Sequence, residues 1–334
     1  MNNKKITLSH GAGGAITQRL VQELFHKYFH NPVLETQLDS ALLSLKAGKW
    51  ALTTDSFIVK PLFFPGGNIG KLSVCGTVND LAVMGAVPLY LTCSFIIEEG
   101  FGIDQLEVIV ESMSKTARED GIIIAAGDTK VVEKGSGDGV FITTTGLGLV
   151  ANGVNYTPQA IRDNDRVIIT GPAGAHGLAV LAARGELGVE PPPQSDCASL
   201  YQLISPLNVL EVRCMRDPTR GGLAAALNEL AMQSRKGIRI DESLIPVDSK
   251  TTNLMDLLGV DPFQLANEGS AIIIISEKDA ERALEIVKTH PLGRSASVIG
   301  EITAENPGQV IMITRLGTER IVPMPSGVII PRIC

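Results

Sequence analysis

Six short polar clusters interrupt the hydrophobic pattern of this chain: Asp39-Ser40, Thr53-Thr54-Asp55-Ser56, Asn79-Asp80, Gly127-Asp128-Thr129-Lys130, Asp217-Pro218-Thr219-Arg220-Gly221-Gly222 and Asn267-Glu268-Gly269. Any one alone reads as a turn or helix cap, because Asp, Asn, Ser and Thr bond readily to nearby backbone. Asn79-Asp80 is harder to dismiss. It sits inside the apolar helical pattern of Val78, Leu81, Ala82 and Met84, where both residues are poor helix formers. Carboxylates gathered from several clusters would repel unless a cation or proton neutralised them. Mg2+ is commonly held by carboxylates together with phosphate oxygens, so the set predicts a Mg-nucleotide site. Gly11-Ala12-Gly13-Gly14 stands just before a helical pattern, where its amides could cover an anion. A flexible lead-in fits those four residues equally well.

A second chemical feature is Cys334, behind a stretch punctuated by Pro323, Pro325 and Pro331. Twelve residues from Pro323 span up to ~40 Å at ~3.3 Å each, enough to carry a thiol into a distant pocket. Proline lowers the entropy lost when such a tail docks. A prenylation signal needs its cysteine four residues from the end, which Cys334 is not.

Alternating strand-like and helix-like segments must position these groups. Helical spacing covers 15–29, 70–84 and 104–119, the last with Asp104 and Glu107 at capping-box spacing. Strands are predicted over 50–59 and 87–97, and over 122–126 and 140–150 on either side of a loop. After a polar boundary at 151–165, a strand over 166–170 leads to helices over 176–184, 199–213 and 222–234. Strands over 271–275, 298–302 and 310–314 follow, with a helix over 276–288. The expected division is 1–152 for nucleotide binding and dimerisation, 153–322 for a second α/β domain, and 323–334 for the tail. Three glycine patterns are decoys. The run 66–71 is one residue short of a P-loop and has Leu72 where Ser or Thr is needed. Gly146, Gly148 and Ala151 have no helix after them, and Gly171, Gly174 and Gly177 need only a tight turn.

Composition narrows the class. The 334 residues are 44% hydrophobic and 19% charged, which is globular, and a net charge of −7 opposes nucleic acid or an anionic membrane as partner. No apolar run approaches the ~20 residues of a membrane span, and the first ten residues lack a signal-peptide core. Five scattered cysteines without a CxxC pair fit reduced thiols and a cytoplasmic location.

Taken in order, the clusters resemble the HypE family of hydrogenase maturation factors, carbamoyl dehydratases of the superfamily that includes aminoimidazole ribonucleotide synthetase and selenophosphate synthetase. The resemblance also rests on Ser9-His10-Gly11-Ala12-Gly13-Gly14, on the 61–71 segment and on Pro331-Arg332-Ile333-Cys334. It implies a two-domain α/β (α+β type) fold, with an N-terminal domain forming a β-barrel across a homodimer, a mixed C-terminal domain and an extended tail. ATP would lie between the domains, with Gly11, Gly13 and Gly14 closing over its phosphates and Asn79, Asp128, Thr129 and Lys130 near them. Asp39, Asp55, Asp80 and Asp217 are the implied Mg2+ ligands, although Ser40 stands where relatives often carry a second acid. Lys130 and Glu268 are the implied acid–base pair. The implied reaction transfers the ATP γ-phosphoryl to the oxygen of a carboxamide on Cys334, then expels phosphate to leave a thiocyanate. A carbamoyltransferase, HypF, would load the carboxamide, and a HypC–HypD complex would receive cyanide for the iron of a [NiFe] hydrogenase. The alternatives are a sibling small-molecule kinase or synthetase and a non-catalytic nucleotide-binding assembly factor. A selenophosphate synthetase would carry Cys or selenocysteine in the glycine segment, which here holds His10.

Overall fold

A computed structural model describes residues 5–36, 40–185, 191–248, 254–255 and 259–326. Asp39 and Cys334, with the Pro331-Arg332-Ile333 before it, lie outside the described residues.

The first half is built on a four-stranded sheet of order β1-β6-β4-β5. Its strands are β1 (Trp50–Phe57), β4 (Ala86–Glu98), β5 (Ile123–Val132) and β6 (Val140–Val150); β2 (Phe63–Phe64) and β3 (Gly67–Asn68) form a separate small hairpin. All pairings within the sheet are antiparallel except β4 with β5. One face is covered by α3 (Ile69–Val83) and α4 (Ile103–Glu119). α3 is apolar nearly all round, as a helix enclosed on every side must be, and Asn68 caps its start by accepting from Gly70 and Lys71 N–H. α4 begins at Ile103 after Gly102, so Asp104 and Glu107 do not form the expected capping box; Glu107 binds Lys27 and Tyr28 instead. The 15–29 segment is one helical run, α1 (Ala15–Leu20) and α2 (His26–Phe29) joined by a π-helical stretch. It docks on the sheet through Phe25, whose ring lies 5.0 Å from that of Phe95.

The second half holds a seven-stranded sheet of order β13-β12-β9-β11-β7-β10-β8. Its members are β7 (Arg166–Ile169), β8 (Val212–Arg216), β9 (Gly237–Asp241), β10 (Ile272–Ile275), β11 (Ser297–Thr303), β12 (Val310–Ile313) and β13 (Glu319–Ile321). Around them stand α5 (Ala175–Ala183), α6 (Tyr201–Ile204), α7 (Gly222–Ser234) and α8 (Glu277–Thr289). β10 shows why four consecutive isoleucines suit a strand. Ile272 and Ile274 pack in the cluster of α7, and Ile273 and Ile275 in that of α8, so both faces are buried. At about 1.5–3 kcal/mol per buried side chain, this strand is a principal anchor of the half.

The helix expected over 199–213 does not form. Pro206 cannot continue a helix, so α6 ends at Ile204, a 3-10 turn follows, and the chain enters β8. The loop expected after residue 126 is also absent. β5 runs on through Val132, aligned with β4 from Cys93 opposite Gly127 to Glu98 opposite Val132. The two halves share apolar packing: Ala82 and Val83 of α3 join the cluster of Leu200, Leu203 and Ile273.

Candidate active site

Strand alternation sorts the Thr53-Thr54-Asp55-Ser56 cluster. Thr53 and Asp55 lie on the covered side of β1, and Leu52, Thr54 and Ser56 on the exposed side. Thr53 Oγ1 donates to Asp80 Oδ2 of α3 at 2.6 Å. Asp55 also meets Asp80. Burial first, then the neighbouring Asp80 carboxylate and a hydrogen bond to it, push Asp55 up to about 6, with Arg220 and Thr77 opposing. Asp217, in the turn between β8 and α7, is pushed up to about 7 by burial, then by Asp80 and more weakly by Asp55. Three elements from both halves thus converge as mutually repelling acids.

Glu268 belongs to the same region and is 2% exposed. Burial, then Cys197, Asp217, Asp196 and Asp55, hold its carboxyl well above the usual range. Asn79 is 1% exposed and ties the halves together rather than standing open. Its Nδ2 donates to the carbonyls of Ala198 and Glu268, and its Oδ1 accepts from Leu200 N–H at 2.8 Å. This explains an Asn in mid-helix: every polar atom of its amide is engaged across the seam.

Asp128, Thr129 and Lys130 lie on β5, at the other edge of the four-stranded sheet. Three strand spacings of about 4.8 Å put that edge ~14 Å from β1. Asp128 shares a row with Ser94, Thr143 and Ser56 across the face away from α3. Lys130 Nζ contacts Asp128 Oδ1 at 3.0 Å and holds that carboxyl below its ordinary range. Gly11 packs against Val131 so closely that a Cβ would lie 2.4 Å from the Val131 nitrogen, which fixes the glycine segment beside this strand. Gly13, Gly14, Asp128 and Thr129 line a cavity of about 540 Å³ with Phe25 and Phe95 at its apolar wall. The structure therefore gathers Asp55, Asp80, Asp217 and Glu268 at one edge, and the glycines with Asp128, Thr129 and Lys130 at the other.

Among the described residues no three His, Cys, Asp or Glu side chains converge into a self-sufficient metal cage. The acids at the β1 edge nevertheless fit Mg2+ held largely by phosphate oxygens, since that ion takes only one or two carboxylates and their mutual repulsion is what a cation relieves. Sequence reasoning missed Asp196, which lies behind Pro191-Pro192-Pro193 in a stretch without periodicity. Its burial and its four hydrogen-bond donors became visible only in three dimensions.

Residues 37–150 match the N-terminal domain of the AIR synthase related proteins, and 162–313 match the C-terminal domain of the same family. The chain is 47% identical to carbamoyl dehydratase HypE of Rhizobium leguminosarum bv. viciae, over 99% of this chain and 96% of that one. It superposes on a crystal structure of hydrogenase maturation protein HypE in complex with ATP with a TM-score of 0.94 and 44% identity, covering 98% and 99% of the two chains. A chain of a HypE-HypF complex matches at a TM-score of 0.81 and 47% identity, covering 92% and 99%.

Proposed function

Because the chain belongs to the AIR synthase related proteins and, within them, to the carbamoyl dehydratase HypE family, we propose that it dehydrates a carboxamide on the Cys334 sulfur to a thiocyanate, using ATP, to supply cyanide in hydrogenase maturation. The observation that carries the residue-level reading is the seam, where Glu268 is buried against acids from both halves. Dehydration needs such a group. The amide oxygen takes the γ-phosphoryl and becomes a leaving group, one N–H proton leaves as the imidate forms, and the second leaves as phosphate departs. A positioned acid–base pair within about 2.6–3.2 Å of the nitrogen moves those protons, which is the role assigned to Glu268 and Lys130. Asp80 and Asp217, with Asp55 behind them, would hold Mg2+ with the ATP phosphates, and the ion would offset charge during transfer. Gly11, Gly13 and Gly14 cover the phosphates from the β5 side, with Asp128 and Thr129. Asn79 keeps the two halves in register around the nucleotide.

The two edges need each other, and a second copy supplies the connection. Among the described residues the sheet face away from α3 is uncovered and carries Leu52 at 72% exposure and Ile96 at 42%. Two such faces packed together make one closed barrel, and the β5 edge of one protomer then stands beside the β1 edge of its partner. Each active site in this homodimer combines the acids of one chain with the glycine segment and Lys130 of the other. A HypF-type carbamoyltransferase loads Cys334, and the thiocyanate passes to a HypC–HypD-type acceptor in the cytoplasm.

Cys334 is also the suitable carrier by elimination among thiols. Cys75, Cys93, Cys197 and Cys214 are all buried, out of reach of a loading enzyme, and burial pushes Cys93 up to about 12 and Cys214 to about 11. Cys334→Ala is expected to bind ATP normally in calorimetry and to form no cyanide. Cyanide delivery by that variant would remove the carrier role.

A further inference from the structure

Glu268 can serve the reaction only if the turn that bears it is rigid, and the structure shows one side chain holding that turn from behind. Asp196, just before Cys197, directs its carboxylate into the Asn267-Glu268-Gly269-Ser270 turn. Its Oδ1 accepts the Glu268 N–H at 3.1 Å. Its Oδ2 accepts from Asn267 Nδ2 at 2.7 Å, Gly269 N–H at 3.2 Å and Ser270 Oγ at 3.3 Å. The two strands of backbone touch directly: a Cβ on Gly269 would lie 1.8 Å from the Asp196 carbonyl oxygen, so only glycine fits there. On its other side the Glu268 carbonyl accepts from Ala198 N–H at 3.1 Å and from Asn79 Nδ2 at 3.2 Å. The main chain of Glu268 is thereby fixed at both its polar groups.

We propose that Asp196 is a positioning residue for the dehydration, fixing through these four hydrogen bonds the turn that presents Glu268. The inference rests on the role of Glu268 proposed above. Both Asp196 oxygens are spent on the turn, so its action on the reaction passes through Glu268. A carboxylate is the group suited to this place. Its two oxygens offer the lone pairs that four converging donors need, and those hydrogen bonds oppose the upward push that burial gives its carboxyl. Asparagine keeps the shape but turns an NH2 toward at least one N–H donor.

The test uses the full-length chain with the carboxamide already on Cys334, in a single turnover with saturating ATP read as loss of one water by mass spectrometry. Asp196→Asn is expected to lower the rate about 10–100-fold, the range seen when a supporting hydrogen bond behind an active group is removed, with the KM for ATP within about twofold. In a Glu268→Gln background the same substitution is expected to have no further effect, because residues acting as a unit are non-additive. Full activity of Asp196→Asn beside a crippled Glu268→Gln overturns the positioning role and leaves the Glu268 role standing; so does a multiplicative double variant. Full activity of Glu268→Gln removes the Glu268 role itself and this inference with it. Should Asp196→Asn fail to fold, Ser270→Ala removes one of the four bonds, with an expected loss of about two- to fivefold that disappears in Glu268→Gln. A Ser270→Ala chain as fast as wild type overturns the proposal.

Discussion

The β1 and β5 edges of the N-terminal sheet carry the same kinds of side chain in opposite states. At β1, Asp55 is half-buried and joined by Asp80 and Asp217, and burial first, then their crowding, pushes Asp55 up to about 6 and Asp217 to about 7. At β5, Asp128 and Lys130 are exposed, pair with each other, and Asp128 is held below its ordinary range. One edge is closed by the second half of its own chain. The other opens on a cavity of about 540 Å³ lined by Gly13, Gly14, Asp128 and Thr129. The contrast teaches that burial by the C-terminal half crowds negative charge at the β1 edge, while the open β5 edge is the one that, in the proposed dimer, would meet a nucleotide held by a second copy.

The sharpest way to break this comparison is to damage the two edges in separate chains. Asp80→Asn and Lys130→Ala homodimers are each expected to lose about 10²–10⁴-fold in dehydration rate. Unfolded and refolded together, they form mixed dimers in which one of two composite sites is intact. With random pairing, recovery to about a quarter of wild-type activity is expected. Mixed dimers verified by mass that stay inactive would show that both edges serve one chain alone.

A smaller effect is expected at the uncovered face. Leu52→Asp should leave the chain folded in circular dichroism but shift its mass by light scattering from dimer to monomer, with activity falling in proportion. A dimer that persists at micromolar concentration would place the contact elsewhere. Smaller still is the loss in Thr53→Val, which removes the 2.6 Å bond to Asp80. A bond to a charged group contributes about 1.5–3 kcal/mol, so Mg2+-dependent nucleotide binding should weaken about 10- to 100-fold while Mg2+-independent binding is unchanged. Equal weakening of both would uncouple Thr53 from the metal site.

The sequence made the β1 edge legible and the β5 edge only half so. Asn79 and Asp80 stood out because nothing local rewards polar residues inside an apolar helix, and the structure supplies the missing partners from Thr53 and from Ala198, Leu200 and Glu268. Gly127-Asp128 looked like the start of a loop because both residues disfavour strands, yet pairing with β4 carries the chain through them to Val131 and Val132. Most of the element order was readable from periodicity; the 199–213 helix was not, since its apolar spacing hid the weight of Pro206. Asp196 was invisible because a buried carboxylate is recognised by its donors, and those come from a turn more than seventy residues away.

The central claim is that this chain carries its own substrate on Cys334 and dehydrates it with ATP. The mass of the C-terminal peptide tests it most directly, after incubation with a carbamoyl donor and a HypF-type carbamoyltransferase and then with Mg-ATP. The account predicts a gain of one carboxamide on Cys334, followed by loss of one water only when ATP is added. A carboxamide that stays intact on Cys334 while ATP is hydrolysed, or one found on another residue, would contradict it.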